Sequence, residues 1–345
     1  MIRTTAPTRI DLAGGTFDIW PIHQVFPQAC TVNLGISLNA TTTLQPNTSS
    51  ECIIESEDQN TIIKGSLEEI LQSKELPLHR AFLDVYRHEI SSGFHLKTKC
   101  LSPAGAGVGG SSCLAVTMLK ALHEWLDIDC SEHQLVATAR DVEARVIHTP
   151  TGVQDYWGAV RGGANILSWP PGQEHVETYT WPTSWDSSIL LCYSGKPRQS
   201  AINNWELYRR VFDKNPETLE TFTEMAHTAR QCASALRNHN LEKVFSASKE
   251  EWSLRRQLWP HLETDETKAI DTAATQAGAY FSRVCGAGGG GVMLIMTPPE
   301  HRQAVTQAVQ TAGGQVLEAL PTNQGLRLLQ NQRTIRRSDL PQTTL

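Results

Sequence analysis

No stretch of the 345-residue chain approaches the roughly 18 consecutive apolar residues that a bilayer-spanning helix requires. Its first residues, MIRTTAPTRIDLAGG, lack the apolar core of a secretory signal. A cytoplasmic protein without membrane partners is therefore expected. Basic residues are not in excess. With 30 Lys and Arg against 36 Asp and Glu, the formal net charge is -6, and the electrostatic footprint of a nucleic-acid binder is absent. The eight cysteines (Cys30, Cys52, Cys100, Cys113, Cys130, Cys192, Cys232 and Cys285) include no C-x-x-C pair and no Cys/His cluster at zinc spacing. Buried, reduced thiols are the expectation.

What remains is ordinary globular material. Forty per cent of residues are hydrophobic and 19% charged, enough for a core and against a disordered chain. The length fits two domains or one large one. Residues 30–45 alternate Val32, Leu34, Ile36 and Leu38 with small or polar neighbours, the period of a half-buried strand. Cys52–Glu55 and Thr61–Lys64 form a hairpin pattern, and residues 94–101 a further strand. After a dense glycine segment, Ala115, Met118, Leu119, Leu122, Trp125 and Leu126 recur at helical spacing. A capping box at Ser131–Gln134 opens a second helix, stopped before Pro150. A Gly/Pro-rich loop is read through Gly172, then a short strand over 187–194 and mostly helix over 199–277. The apolar strand VMLIM ends at Pro298-Pro299, and the tail after about Leu328 is polar and expected to fray. The pattern predicts an α+β chain, with an N-terminal domain over 1–185, a C-terminal domain over 186–330 and a polar tail over 331–345.

The 24 glycines are unremarkable as a fraction, but nine of them fall in two six-residue windows, 105–110 and 286–291. In the first, Pro103-Ala104-Gly105-Ala106-Gly107-Val108-Gly109-Gly110-Ser111-Ser112 runs from a strand into a helix. Residues without Cβ let backbone N–H groups approach an anion, and the helix start adds unsatisfied donors and a favourable dipole, so a phosphate chain fits there. No Lys follows these glycines, which excludes a Walker A loop. Gly105-x-Gly107-x-x-Gly110 also matches the dinucleotide fingerprint. A dinucleotide-dependent oxidoreductase therefore stays as a rival, although a second helix rather than a strand follows. The second window, Gly286–Gly291, leads into a strand and reads as a site-lining loop. Glu143, late in the second helix, and Asp155, after Pro150, are candidates for two carboxylates brought together by a tight loop.

Three ordered segments, APTRIDLAGGTFD, PAGAGVGGSS and CGAGGGGVML, resemble the motifs of the galactokinase, homoserine kinase, mevalonate kinase and phosphomevalonate kinase (GHMP) superfamily. GVQDYWGAVRGGANIL and YSGKPRQSA resemble segments of its heptose 7-phosphate kinase and fucokinase branch. The resemblance implies a two-domain α+β fold with ATP and acceptor in the cleft between domains. Pro103, Gly105, Ala106, Gly107, Gly109, Gly110, Ser111 and Ser112 would bind the triphosphate. Ser111, with Ser112 as its alternative, and Glu143 would hold magnesium, and Asp155 would be the catalytic aspartate assisted by Arg9. Gly14, Gly15, Asp18, Arg198, Gly288 and Gly289 would contact the acceptor. Arg283 is a further candidate for offsetting charge on the transferring group, and Lys196 and Arg161 join Arg198 as candidates for a phosphorylated acceptor. The implied activity is phosphorylation of a sugar hydroxyl, the anomeric one of a sugar or sugar phosphate such as D-glycero-D-manno-heptose 7-phosphate. Fucokinase, galactokinase and mevalonate kinase are the alternatives within the family. The expected partner is a small-molecule sugar or sugar phosphate, and a homodimer is compatible with the reading.

Overall fold

A computed structural model describes residues 1–197, 202–259 and 262–331. The N-terminal part contains β1 (Ile2–Ala13), α1 (Ile22–Val25), β2 (Cys30–Pro46), β3 (Cys52–Ser56), β4 (Thr61–Gly65), α2 (Leu67–Gln72), α3 (Pro77–Val85) and β5 (Phe94–Cys100). It continues through α4 (Gly110–Leu126), α5 (Glu132–Ile147), α6 (Gln154–Arg161), β6 (Ala164–Ser168) and β7 (His175–Tyr179). Then come β8 (Ile189–Tyr193), α7 (Ile202–Phe212), α8 (Pro216–Arg237), α9 (Leu241–Leu258), α10 (Asp265–Gln276), β9 (Phe281–Val284) and β10 (Val292–Met296). The last elements are α11 (Arg302–Thr311), β11 (Gln315–Val316) and β12 (Arg327–Asn331).

Two sheets organise these elements. The first runs β12-β1-β2-β5-β3-β4, with β6 added on β2 and β7 on β6. The long β2 makes this branching work. Its first residues, Cys30–Leu34, pair with β6 while Ala40–Pro46 pair with β5, and β1 lies antiparallel along both halves. The second sheet is β11-β8-β10-β9. Its apolar runs are continuous because both faces are covered. Alternate residues divide between two cores: Val292, Leu294 and Met296 join one cluster, Met293 and Ile295 the other.

β1 joins the two halves of the molecule. It is buried along its length except at Arg3. Ile2 and Ala6 pack in the cluster that holds the α4 residues Leu114 and Met118, whereas Ile10 and Leu12 pack in the cluster that holds Ala229 and Phe245 of α8 and α9. Polar side chains at Arg9 and Asp11 are thus carried into the middle of the protein.

The structure differs from the sequence reading at three places. The stretch after Pro150, read as loop, holds α6 and β6. Helix α6 has only eight residues and contains Gly158, so its local propensity is weak. Burial of Tyr156, Trp157, Ala159 and Val160 decides its conformation. Strand β1 carries no clean period-2 signal because both of its faces are buried. The segment Arg327–Asn331, read as the start of a frayed tail, pairs with β1 as an edge strand. Residues 332–345 of that predicted tail lie outside the described residues, as does Arg198. The eight cysteines are free, six of them buried and Cys100 and Cys130 half-buried.

Candidate active site

The first glycine window connects β5 to α4. Gly105, Gly107 and Gly109 take φ of +67°, +77° and +78°, a region in which a side chain would be strained. Helix α4 starts at Gly110 with no side-chain cap, so its first N–H groups are left to a ligand. A cavity of about 510 Å³ opens over this loop, lined by Pro103, Gly105, Gly107, Gly110, Ser111 and Ser112. The second glycine window is the loop between β9 and β10, and it packs directly on the first. Val292 N–H donates to Ala106 C=O at 2.7 Å, and a Cβ at Gly291 would come within 2.5 Å of that same oxygen.

Two carboxylates stand at the mouth of this cavity. Glu143, on α5, accepts from Ser111 Oγ at 2.5 Å on one oxygen and from Tyr156 OH at 2.6 Å and Ser112 Oγ at 2.8 Å on the other. Burial raises its pKa, and the three hydroxyl donors partly offset that rise. Asp155 lies in the first turn of α6. It packs against the phosphate loop, where a Cβ at Gly109 would come within 3.0 Å of both Asp155 Cβ and Cγ. Among the described residues no group of three or more His, Cys, Asp or Glu side chains converges to hold a metal. One carboxylate and one exposed hydroxyl, Glu143 and Ser111, do fit a hard cation that takes its remaining oxygens from a substrate's phosphates.

On the far side of Asp155 lies a second cavity of about 310 Å³, lined by Arg9, Gly15, Thr16, Asp18, Gln154 and Arg255, among others. Ser111, Glu143 and Asp155 line both cavities. Arg9 reaches Asp155 from β1. Its Nε donates to Asp155 Oδ1 at 2.5 Å, a second guanidinium nitrogen closes the ion pair, and a third bond goes to the Gly107 carbonyl at 3.1 Å. Burial disfavours the Arg9 guanidinium, but Asp155 and Asp11 outweigh burial and keep it charged. The stem of Arg9 fits against α6 because position 158 is glycine, where a Cβ would lie 2.8 Å from Arg9 Cβ.

Asp18 is almost fully buried in the wall of this cavity. Its carboxylate accepts from the Thr16 and Gln154 backbone N–H groups, each at 3.1 Å. Burial pushes its pKa up to about 6 against those two bonds. Thr16 itself has φ of +102°, a strained value for a β-branched residue, and it faces the cavity. Gly152 admits Asp18 to this position, since a Cβ there would sit 1.9 Å from the carboxylate.

Beneath the cavity floor is a buried charge network that the sequence did not reveal. Asp11 is contacted by Arg283 at 2.9 Å, Arg255 at 3.3 Å and Arg9 at 3.5 Å, and accepts the Gly286 N–H at 2.8 Å. Burial opposes its ionisation, but the three guanidiniums and the amide hold its carboxyl below the usual carboxylate range. Glu251 on α9 pairs with Arg283 at 2.9 Å and accepts the Gly14 N–H at 3.1 Å.

The predicted residues therefore separate. Arg9, Gly15, Asp18, Ser111, Glu143 and Asp155 come together around the second cavity. Gly14 is a turn residue at φ +71°, where a Cβ would meet Cys30 C=O at 2.0 Å, and it supports the wall rather than lining it. In the second glycine loop Gly286 and Ala287 line the cavity, while Gly288 and Gly289 pack on Leu262. Arg283 is fully buried and tied to Asp11, Glu251 and the Leu12 carbonyl, so it does not reach a transferring group. Lys196 pairs with Glu266, and Arg161 pairs with Glu132, both at the surface. Sequence reasoning missed Gln154 and Arg255. Gln154 had a signal as the neighbour of Asp155, whereas Arg255 sits in an ordinary-looking amphipathic helix.

Comparison with known proteins identifies the family. The GHMP kinases N-terminal domain matches residues 77–163, which contain the phosphate loop, Glu143 and Asp155, and the GHMP kinases C-terminal domain matches residues 232–315. The chain is 24% identical to D-glycero-alpha-D-manno-heptose 7-phosphate kinase from Campylobacter jejuni, over 94% of this chain and 98% of that protein. It is 25% identical to mevalonate kinase from Pyrococcus abyssi, over 95% and 98%. Among solved structures, a D-glycero-D-manno-heptose 1-phosphate kinase from Bacteroides thetaiotaomicron shares the fold with a TM-score of 0.77 at 22% identity, covering 96% of this chain and 99% of that one. The dinucleotide reading falls, because α4 is followed by α5 rather than by a strand with an acidic end. With both family domains present in order around one cleft, the chain belongs to the GHMP kinases.

Proposed function

We propose that this protein transfers the γ-phosphoryl group of ATP to a sugar hydroxyl. The acceptor we favour is a sugar phosphate such as D-glycero-D-manno-heptose 7-phosphate, phosphorylated at its anomeric hydroxyl. The observation that carries this reading is the meeting of two cavities at Ser111, Glu143 and Asp155, one floored by backbone amides and the other walled by Asp18, Gln154 and two arginines. Phosphoryl transfer asks a protein mainly for positioning and charge neutralisation, and the two sides supply these separately.

The triphosphate lies along Gly105–Ser111 at the N-terminus of α4. Ser111 and Glu143 are the residues that would hold magnesium, and Ser111 is favoured over Ser112 because it is exposed to both cavities while Ser112 is buried. When bound, magnesium neutralises β- and γ-phosphate oxygens. Arg9 fixes the Asp155 carboxylate at the junction. Asp155 aligns the acceptor hydroxyl and receives its proton as the new O–P bond forms and the bond to ADP breaks. An anomeric hydroxyl is more acidic than an ordinary alcohol, which lowers the demand on that carboxylate. Asp18 and Gln154 hold the other hydroxyls of the sugar.

The similarity to mevalonate kinases over nearly the whole chain makes mevalonate the second acceptor to examine. ADP release should be measured with ATP and magnesium across heptose 7-phosphate, fucose, galactose, mannose and mevalonate. Turnover of a sugar or sugar phosphate above all others supports the reading, and turnover of mevalonate alone overturns it.

A further inference from the structure

Among the described residues the cations that line the acceptor-side cavity are Arg9 and Arg255. They are not equivalent. Arg9 has all three guanidinium nitrogens engaged, with Asp155, Asp11 and the Gly107 carbonyl. Arg255 donates through NH1 to Asp11 at 3.3 Å and through NH2 to the Gly286 carbonyl at 3.2 Å. A guanidinium carries five N–H donors in a planar fork, so these two bonds leave part of the fork for a ligand. Its charge is also the least compensated in the network. Arg283 has Glu251 and Arg9 has Asp155, whereas among the described residues Arg255 pairs only with Asp11, whose same oxygen Oδ2 is closer to Arg283.

One polar atom in the same wall is unpaired. Gln154 is 93% buried, by a relative exposure of 7%; its Nε2 donates to Asp18 Oδ1 at 3.4 Å, but its Oε1 has no donor among the described residues. Gln154 and Arg255 converge where position 15 is glycine: a Cβ there would stand 3.3 Å from Gln154 Nε2 and 3.4 Å from Arg255 NH1. A buried acceptor without a donor is costly, and a ligand hydroxyl in this wall would satisfy it. Gln154 Oε1 takes a hydroxyl, and Arg255 takes an anionic oxygen. Arg255 does not line the cavity over the phosphate loop, so the anion it meets belongs to the acceptor and not to ATP.

We infer that Arg255 is a specificity-determining residue that reads a negatively charged group on the acceptor, with Gln154 reading a neighbouring hydroxyl. This rests on the sugar kinase reading above and deepens it: the enzyme selects an acceptor that already carries a phosphate monoester.

The test is steady-state kinetics with matched pairs, D-glycero-D-manno-heptose against its 7-phosphate and mannose against mannose 6-phosphate, with mevalonate as a carboxylate control. Wild-type enzyme is expected to have a KM for the phosphorylated member at least about tenfold below that for the neutral one, the size of a charge-assisted hydrogen bond. Arg255→Gln should raise the KM for the phosphorylated member about 10–100-fold. The preference for the phosphorylated over the neutral member, read as the ratio of their kcat/KM values, should fall about tenfold or more, with the KM for ATP changed far less. Arg255→Lys keeps the charge but loses the fork and should fall between the two. Equal losses for charged and neutral acceptors would overturn the inference, as would an unchanged KM for the phosphorylated one in Arg255→Gln. Wild-type enzyme that prefers the neutral sugar overturns it without any variant and leaves the sugar kinase reading intact. Turnover of mevalonate alone overturns the selection of a phosphate monoester together with the sugar reading. If no acceptor is turned over, both readings fall.

Discussion

The two cavities that meet at Asp155 are built from different materials. Over the first glycine loop the walls include four glycines, Ser111, Ser112 and the uncapped start of α4, so a ligand there would meet backbone amides. Across Asp155 the walls are side chains with full charges, held by a network of Arg9, Asp11, Glu251, Arg255 and Arg283. In the proposed reaction the phosphate side needs few cations, because amides and a divalent ion would neutralise a triphosphate, which is compatible with a formal net charge of -6. The acceptor side must tell one polyol from another, and discrimination among hydroxyls needs directional donors and acceptors held rigidly.

This contrast can be broken one residue at a time. Asp155→Asn removes the group at the junction and should lower turnover by about 1,000-fold or more, measured as ADP release at saturating substrates. Glu143→Gln leaves Ser111, Ser112 and Tyr156 facing an amide in place of a carboxylate. Turnover should drop about 100–1,000-fold and the magnesium concentration for half-maximal rate should rise, while acceptor binding followed by calorimetry is retained. Gly109→Ala places a Cβ at φ +78° and 3.0 Å from Asp155. A left-handed alanine costs roughly 1–2 kcal/mol, and displacement of Asp155 adds to it. A loss of about 10–100-fold in kcat/KM is expected, whereas Gly172→Ala, where a Cβ meets nothing within 4 Å, should leave kinetics unchanged.

The smallest effect concerns pH. Burial raises the Asp18 pKa to about 6, so the carboxylate proposed to accept sugar hydroxyls is present above that value and is lost as pH falls through it. The acceptor KM should therefore rise severalfold between about pH 7 and 5, with the KM for ATP flat over the same range. Linkage acts in the opposite sense on the fold. Because the folded pKa lies above that of a free aspartate, Asp18 destabilises the native state increasingly as pH rises from about 4 to 6. Asp18→Asn should abolish the pH dependence of the KM for a neutral acceptor such as mannose, whose own charge does not change over this range.

The same contrast explains what the sequence made legible. The phosphate side is local: four glycines and two serines within ten residues, between a strand and a helix, announce backbone amides converging on an anion. Glu143 and Asp155 are twelve residues apart and could be paired by reading a helix into a tight turn. The second cavity and the charge network beneath it are assembled from positions 9, 11, 18, 154, 251, 255 and 283, which β1, the loop after it, α6, α9 and β9 bring together. No periodicity links Arg255 to Asp11, and Arg283, which looked available for charge neutralisation, is consumed by Asp11 and Glu251. Helix α6 was read as loop because its conformation is set by packing around Tyr156 and Trp157, not by propensity.

The central claim is that Asp155 divides a nucleotide side made of backbone from an acceptor side made of side chains. Calorimetric binding of magnesium-ATP to Asp155→Asn and to the unaltered protein tests it most directly. The account predicts dissociation constants within about threefold of each other alongside the collapse in turnover. A loss of nucleotide affinity of about 30-fold or more, or turnover that survives the substitution, would contradict it.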